Sequence, residues 1–171
     1  MLINEKMQIE EYFYPFSEQY NPIFQSIIYN EKKISYGKCE SEMTEWNIHL
    51  RCRELNEFCR WIVNKTEDNF VKPGYDGNLP YRLACINTWG LICNKGNYVE
   101  EHNHDPSQFS FVYYINAPEG SSPLVFSSSG YQVKPQAGKI VIFHSSLLHH
   151  VPVNNCDNRY SFVGIIGDYR K

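Results

Sequence analysis

A mainly β architecture, a double-stranded β-helix (jelly roll) with packing helices from the N-terminal half, is the fold class that this 171-residue sequence predicts. Three observations predict it. Beyond Pro80 the chain becomes a series of short apolar runs separated by turn formers every ~8–12 residues, the rhythm of a sandwich or barrel and not of alternating βαβ units. Aromatic residues reach 15%, with 13 Tyr and 10 Phe, and such side chains favour strands. A helical period is strong in only one stretch, and it precedes the strand-rich half.

Taken in order, residues 1–40 are irregular and aromatic, with Gln8 to Tyr14 reading as an edge strand ended by Pro15 and Pro22 to Tyr29 as a short helix. From Thr44 to Asn64 the residues Ile48, Cys52, Leu55, Phe58, Cys59 and Ile62 form an apolar stripe opposite charged residues, which predicts an amphipathic helix on the outside of a sheet. Residues 65–80 read as a loop, because Lys72-Pro73-Gly74-Tyr75-Asp76-Gly77 is dense in turn formers. Strands are expected at Tyr81–Leu91, Tyr98–His104, Phe109–Asn116, Ser122–Ser127, Tyr131–Val133, Lys139–Phe143, His149–Val153 and Tyr160–Ile166. The whole reads as one domain over 1–171, with 1–80 as helical and irregular support and 81–171 as the jelly-roll core.

Bulk properties narrow the function classes. A net charge of −3 and the lack of any basic run give no strong nucleic-acid signal. No apolar window is long enough to span a membrane, and the start shows no secretory pattern. The six cysteines form no CxxC pair, so they are expected to be reduced thiols in a cytoplasmic protein, bacterial or in the host cytoplasm if phage-encoded. The aromatic N-terminal segment could pair two copies as a homodimer.

Chemistry concentrates in Glu101-His102-Asn103-His104-Asp105-Pro106. Side chains alternate faces along a strand, so His102 and His104 share one face and can share one metal ion, whereas Asp105 could ligate only if Pro106 bends the chain. His149-His150 forms a second cluster, of which one ring faces inward; His144 reads as structural and His49 as unrelated. On the last strand Arg159, Ser161, Val163 and Ile165 share a face that the two aliphatic residues mark as interior. An inward arginine is costly unless an anion meets it, and the usual partner is a carboxylate held by two parallel N–H bonds. A salt bridge to Asp157 or Asp168, or a place for Arg159 at the exposed strand end, is the alternative.

The ordered set His102-Asn103-His104, Tyr113-Tyr114-Ile115-Asn116, Pro118 to Phe126, Pro135-Gln136-Ala137-Gly138 to Phe143, His149 and Arg159-Tyr160-Ser161 resembles the iron(II)- and 2-oxoglutarate-dependent oxygenases over roughly residues 83–168. Within them it is most similar to a branch with His-x-His in place of His-x-Asp, found in marine bacteria and their tailed phages. The resemblance implies His102 and His149 as iron ligands, with His104 (or Asp105) as the third. It implies Arg159 as the partner of the distal carboxylate of 2-oxoglutarate, helped by Ser161 and Tyr114. Asn87, Trp89 and Tyr113 are candidates for the substrate pocket. The implied cofactors are Fe(II), 2-oxoglutarate as cosubstrate and O2, with hydroxylation of an unidentified substrate and formation of succinate and CO2. The substrate could be a protein side chain, a nucleobase or a small metabolite. Two other readings fit three histidines: a cupin-type dioxygenase that does not use 2-oxoglutarate, and a non-catalytic metal-binding jelly roll.

Overall fold

The structure, a computed structural model, describes residues 8–37, 39–71 and 82–169. Among these described residues, eleven strands form one antiparallel curled sheet: β1 (Ile9–Phe13), β2 (Lys33–Tyr36), β3 (Cys39–Thr44), β4 (Leu83–Cys93), β5 (Val99–His102), β6 (Phe109–Asn116), β7 (Leu124–Phe126), β8 (Tyr131–Val133), β9 (Lys139–His144), β10 (His149–Val151) and β11 (Arg159–Asp168). Their order is β1-β9-β6-β11-β4-β3-β5-β10-β7-β8, with β2 paired to β3. Helices α1 (Ser17–Asn30) and α2 (Arg53–Phe70) complete the fold, which is the predicted jelly roll with packing helices.

The long strands explain why the C-terminal half reads as continuous apolar runs. On β6, Phe109, Phe111, Tyr113 and Ile115 face the helices and join Phe24, Ile28, Leu55, Phe58 and Ile62 in one buried cluster. Val112 and Tyr114 face the other way, into a second cluster with Leu91 (β4), Leu124 (β7), Phe143 (β9), Val151 (β10) and Val163 (β11). A strand buried on both faces loses its polar alternation. The second cluster is the barrel interior, drawn from both arms of the curl.

The N-terminal half departs from the sequence expectation. Residue 44 ends β3 instead of opening a helix, because the Thr44 hydroxyl accepts a hydrogen bond from the Gly90 backbone at 2.9 Å and stitches that strand end to β4. Asn47 then turns the chain in a left-handed conformation (φ 61°), a short 3-10 turn spans Ile48–Arg51, and α2 begins only at Arg53 and runs on to Phe70. The apolar stripe is still correct, since Ile48, Leu55, Phe58, Cys59 and Ile62 are all buried. The first helix starts at Ser17, so Pro22 lies inside it instead of opening it. The expected loop at 65–80 is helix up to Phe70, and its turn-rich part, 72–80, lies outside the described residues.

The packing of helices on sheet depends on Gly164. A Cβ there would lie 2.3 Å from Cε1 of Phe111, whose ring is fully buried between Phe58 and Phe162. Gly164→Ala is therefore expected to lower stability by about 1–3 kcal/mol, read by denaturant unfolding, without touching the interior of the barrel.

Candidate metal and anion site

Three imidazoles converge on one point inside the barrel mouth. His102 ends β5, His149 opens β10, and the two are directly paired across the antiparallel ladder. His104 lies two residues beyond the strand end, where its backbone N–H donates to the Ser145 carbonyl at 2.8 Å and holds it on the same side as His102. Ring centroids are 4.4 Å apart for His102–His149, 5.0 Å for His102–His104 and 5.1 Å for His104–His149. Their ligand nitrogens all lie within 4.8 Å of one another. Asp105 is not in that group; it is exposed, hydrogen-bonded to Asn103, and lines the same cavity.

The ring orientations are set from behind. The Nδ1–H of His102 donates to the Glu100 carbonyl and that of His149 to the Leu147 carbonyl, each at 2.8 Å. A carbonyl can only accept, so both rings carry the proton on Nδ1 and turn an Nε2 lone pair to the centre. His104 is held differently: its Nδ1 meets the Ser110 hydroxyl at 2.8 Å, which meets the Ser145 hydroxyl at 2.8 Å, both serines being fully buried. Ser110→Ala removes that hold, and partners of this kind are worth ~10- to 100-fold in metal affinity. A competitive Zn(II) titration is expected to show a loss in that range, with Ser110→Thr retaining most of the affinity.

Burial keeps His104 and His149 neutral. Burial, then the neighbouring His149 and His102, pushes His104 down to about 3. Burial and His102 push His149 down to about 4, although the Leu147 carbonyl works in the opposite sense. Unfolded imidazoles titrate near ~6.5, so below that value the unfolded chain binds more protons than the folded one. The stability contribution is thus complete above pH ~6.5 and is lost as pH falls toward about 4. Melting with a chelator present should show a lower Tm at pH 5 than at pH 7.5.

Opposite the histidines, Arg159 is 2% exposed and has no acid within ion-pair distance among the described residues. Asp157 instead accepts a hydrogen bond from the Lys95 backbone and Asp168 one from the Arg82 backbone, so neither is the partner considered from sequence. Nε of Arg159, Oγ of Ser161 and the Tyr114 hydroxyl are all buried without a hydrogen-bond partner. The guanidinium carbon sits 5.2 Å from the centre of the Tyr114 ring. Strand pairing produces this cluster, since Ser161 is registered against Tyr114 on β6 and Leu91 on β4.

A cavity of about 310 Å³ joins the two halves of the site, with the three histidines, Arg159 and Ser161 in its wall together with Asn87, Trp89, Val163 and Ile165. Tyr114 backs Arg159 instead of forming the wall. Tyr113 does not reach the cavity: it faces the helices, edge-on to Tyr14 and Phe24, and its hydroxyl donates to Asn21. His144 packs against Phe70 and Phe109, His150 pairs with the Ser127 hydroxyl, and His49 with the Thr88 hydroxyl. The wall also contains Tyr36, Cys39, Met43 and Trp46 from the N-terminal half, for which the sequence reading had no role. An indole and a phenol flanking a short strand pair were the available signal.

Residues 87–167, somewhat under half of the chain, match the sequence profile of the 2OG-Fe(II) oxygenase superfamily. A search of curated proteins finds no match. Among solved structures the chain is similar to a viral collagen prolyl hydroxylase from Paramecium Bursaria Chlorella virus-1 in complex with 2OG (TM-score 0.63, 15% identity, 92% of this chain and 94% of that one). It is also similar to a Pseudomonas putida prolyl-4-hydroxylase (TM-score 0.61, 14% identity, 95% and 92% covered). HygX from Streptomyces hygroscopicus with nickel and 2-oxoglutarate bound gives a TM-score of 0.70 at 11% identity, with 96% and 84% covered. At these identities the likeness is one of fold. The chain thus has the jelly-roll fold of these structures, and its residues 87–167 match the 2OG-Fe(II) oxygenase superfamily.

Proposed function

We propose that the protein is an iron(II)- and 2-oxoglutarate-dependent dioxygenase that hydroxylates a primary substrate with formation of succinate and CO2. The observation that carries this reading is the polar cluster at the inner end of the cavity: a buried arginine whose Nε, with the Ser161 hydroxyl and the Tyr114 phenol beside it, has no hydrogen-bond partner among the described residues. A buried, unpaired charge costs several kcal/mol, so a site that keeps one is built for a ligand that neutralises it. The donors available there fit a carboxylate.

The residues also fit the metal. Three neutral imidazoles suit a divalent first-row ion, and the usual facial triad differs only in having one carboxylate. With no carboxylate among the three, the ion would keep its two positive charges, and a dianionic cosubstrate would balance them. Bound iron would supply the oxidising chemistry and a point of attachment for the 2-oxo acid. His102, His104 and His149 would hold the ion with Nε2, their Nδ1 atoms being occupied behind. Arg159 would fix the far carboxylate of the acid, with Ser161 and Tyr114 as hydrogen-bond donors, so that the acid enters in one orientation. The aliphatic wall from Leu91, Val112, Leu124 and Val163 would exclude water from the inner half of the cavity.

Six free thiols suit a reducing compartment such as the cytoplasm. No helix among the described residues is long and apolar enough to cross a membrane. The His-x-His pattern also supports assignment to the branch of this superfamily that carries two histidines in that motif. The three-histidine donor set favours one second reading, a cupin-type dioxygenase that needs no 2-oxo acid. Succinate release by the iron-loaded protein with 2-oxoglutarate and O2 tests the proposal, because that readout follows the cosubstrate and does not require the primary substrate to be identified. Oxygen uptake independent of 2-oxoglutarate would favour the second reading.

A further inference from the structure

The outer half of the cavity has a chemistry of its own. Tyr36, Trp46 and Trp89 form a column of rings in edge-to-face contact, with centroids 5.8 Å apart at 89° for Tyr36–Trp46 and 4.9 Å apart at 76° for Trp46–Trp89. The column runs inward from Tyr36 (47% exposed) and Trp46 (37%) to Trp89 (7%), which meets His104 at 5.6 Å. Near-perpendicular neighbours present both faces and edges to the space beside them. Asp105 lines the same cavity, makes side-chain hydrogen bonds only with Asn103, and has no cation within ion-pair distance among the described residues. The side-chain amide oxygen of Asn87, also in the wall, has no hydrogen-bond partner among the described residues. Arg159, at the inner end, is the only lysine or arginine among the described residues lining the cavity.

From this we infer that the outer half of the cavity binds an alkylated ammonium group carried by the primary substrate. The inference rests on the dioxygenase reading, since it takes this cavity to be the active site. Ring faces attract cations through their negative quadrupole, and perpendicular aromatic walls are how quaternary and methylated ammonium ions are recognised. An anionic substrate would meet the Asp105 carboxylate and, among the described lining residues, no lysine or arginine outside the cosubstrate end. A primary ammonium would bring three N–H donors that each need an acceptor, whereas beside the Asp105 carboxylate and the amide and hydroxyl groups of Asn87, Asn103 and Ser107 this wall is largely Met43, Val99, Ile165 and rings. Alkylation removes those donors while keeping the charge, and so matches both the apolar wall and the acid.

The test compares choline with its uncharged isostere 3,3-dimethyl-1-butanol, which has the same shape without the charge. Indole N–H resonances are followed by NMR in the 171-residue chain, whose three tryptophans are Trp46 and Trp89 in the cavity and Trp61 on α2 as internal control. Choline is expected to shift the Trp46 and Trp89 signals, leave Trp61 in place, and bind about tenfold more tightly than the isostere, as a cation–π contact in a partly desolvated site implies. Trp46→Leu should reduce choline affinity about tenfold. Asp105→Asn, at an exposed position that burdens no core, should reduce it severalfold and remove most of its dependence on ionic strength. Equal binding of the two probes, shifts at Trp61 alone, or no effect of Asp105→Asn would overturn the inference. Binding of 2-oxoglutarate by the same preparation is measured in parallel: cosubstrate binding without choline binding removes this inference alone, and choline binding without cosubstrate binding removes the dioxygenase reading instead.

Discussion

Arg159→Met is expected to weaken 2-oxoglutarate binding severely and to leave the ligand-free protein at least as stable as before. Removing one partner from a buried, hydrogen-bonded charge pair costs about 2–5 kcal/mol of binding, roughly 30-fold to several thousand-fold in Kd. The stability half of the prediction is the more discriminating. A guanidinium 2% exposed, with Nε unpartnered, is a burden on the empty fold, and methionine fills much of the same volume without a charge. If Arg159 served the architecture, the substitution would lower Tm; if it serves a ligand, Tm holds or rises while the cosubstrate affinity collapses. Calorimetric titration and thermal melting of the same sample separate the two.

His149→Ala should be the most damaging change at the metal. His149 is 3% exposed, is fixed through Nδ1 by the Leu147 carbonyl, and pairs with His102 across the ladder. Its loss leaves two imidazoles for an ion that needs three anchors, and iron affinity should fall by two orders of magnitude or more, a larger effect than the ~10- to 100-fold of an outer hydrogen bond. His104→Asp is the informative companion, because it restores a two-histidine, one-carboxylate set. It should retain iron, whereas His104→Ala should not. Metal content after gel filtration decides both.

Much of this site is legible in the sequence because strand alternation carries it. Arg159 stands out as a charge in register with Val163 and Ile165, and the cavity contains all of them. Asn87, Trp89 and Leu91 share a face of β4 for the same reason. Alternation also separates Tyr113 from Tyr114: with Tyr114 beside Arg159, Tyr113 must face the helices, as it does. What the sequence conceals depends on pairing between distant segments. Ser110 reads as a lone polar residue in an apolar strand until β6 and β9 bring it against Ser145 and His104. The pair β2–β3 is short and polar, with Lys33-Ile34-Ser35-Tyr36 followed by Cys39–Thr44, and nothing local marks it as a sheet element. Its contribution to the cavity mouth through Tyr36 and Met43 follows from pairing with β4. The helix boundary is hidden in the sequence because periodicity cannot register Asn47 turning left-handed after a strand end anchored by Thr44.

The central claim is that one metal ion and one keto-diacid share this cavity, joined across it by three imidazoles and a guanidinium. Adding 2-oxoglutarate to the Fe(II)-loaded protein without oxygen tests it most directly, through the visible charge-transfer absorption of iron chelated by a 2-oxo acid. The account predicts a band that saturates at one equivalent, disappears in His149→Ala, and requires far more 2-oxoglutarate in Arg159→Met. An iron-loaded protein that shows no band, or one whose band is indifferent to Arg159, would contradict it.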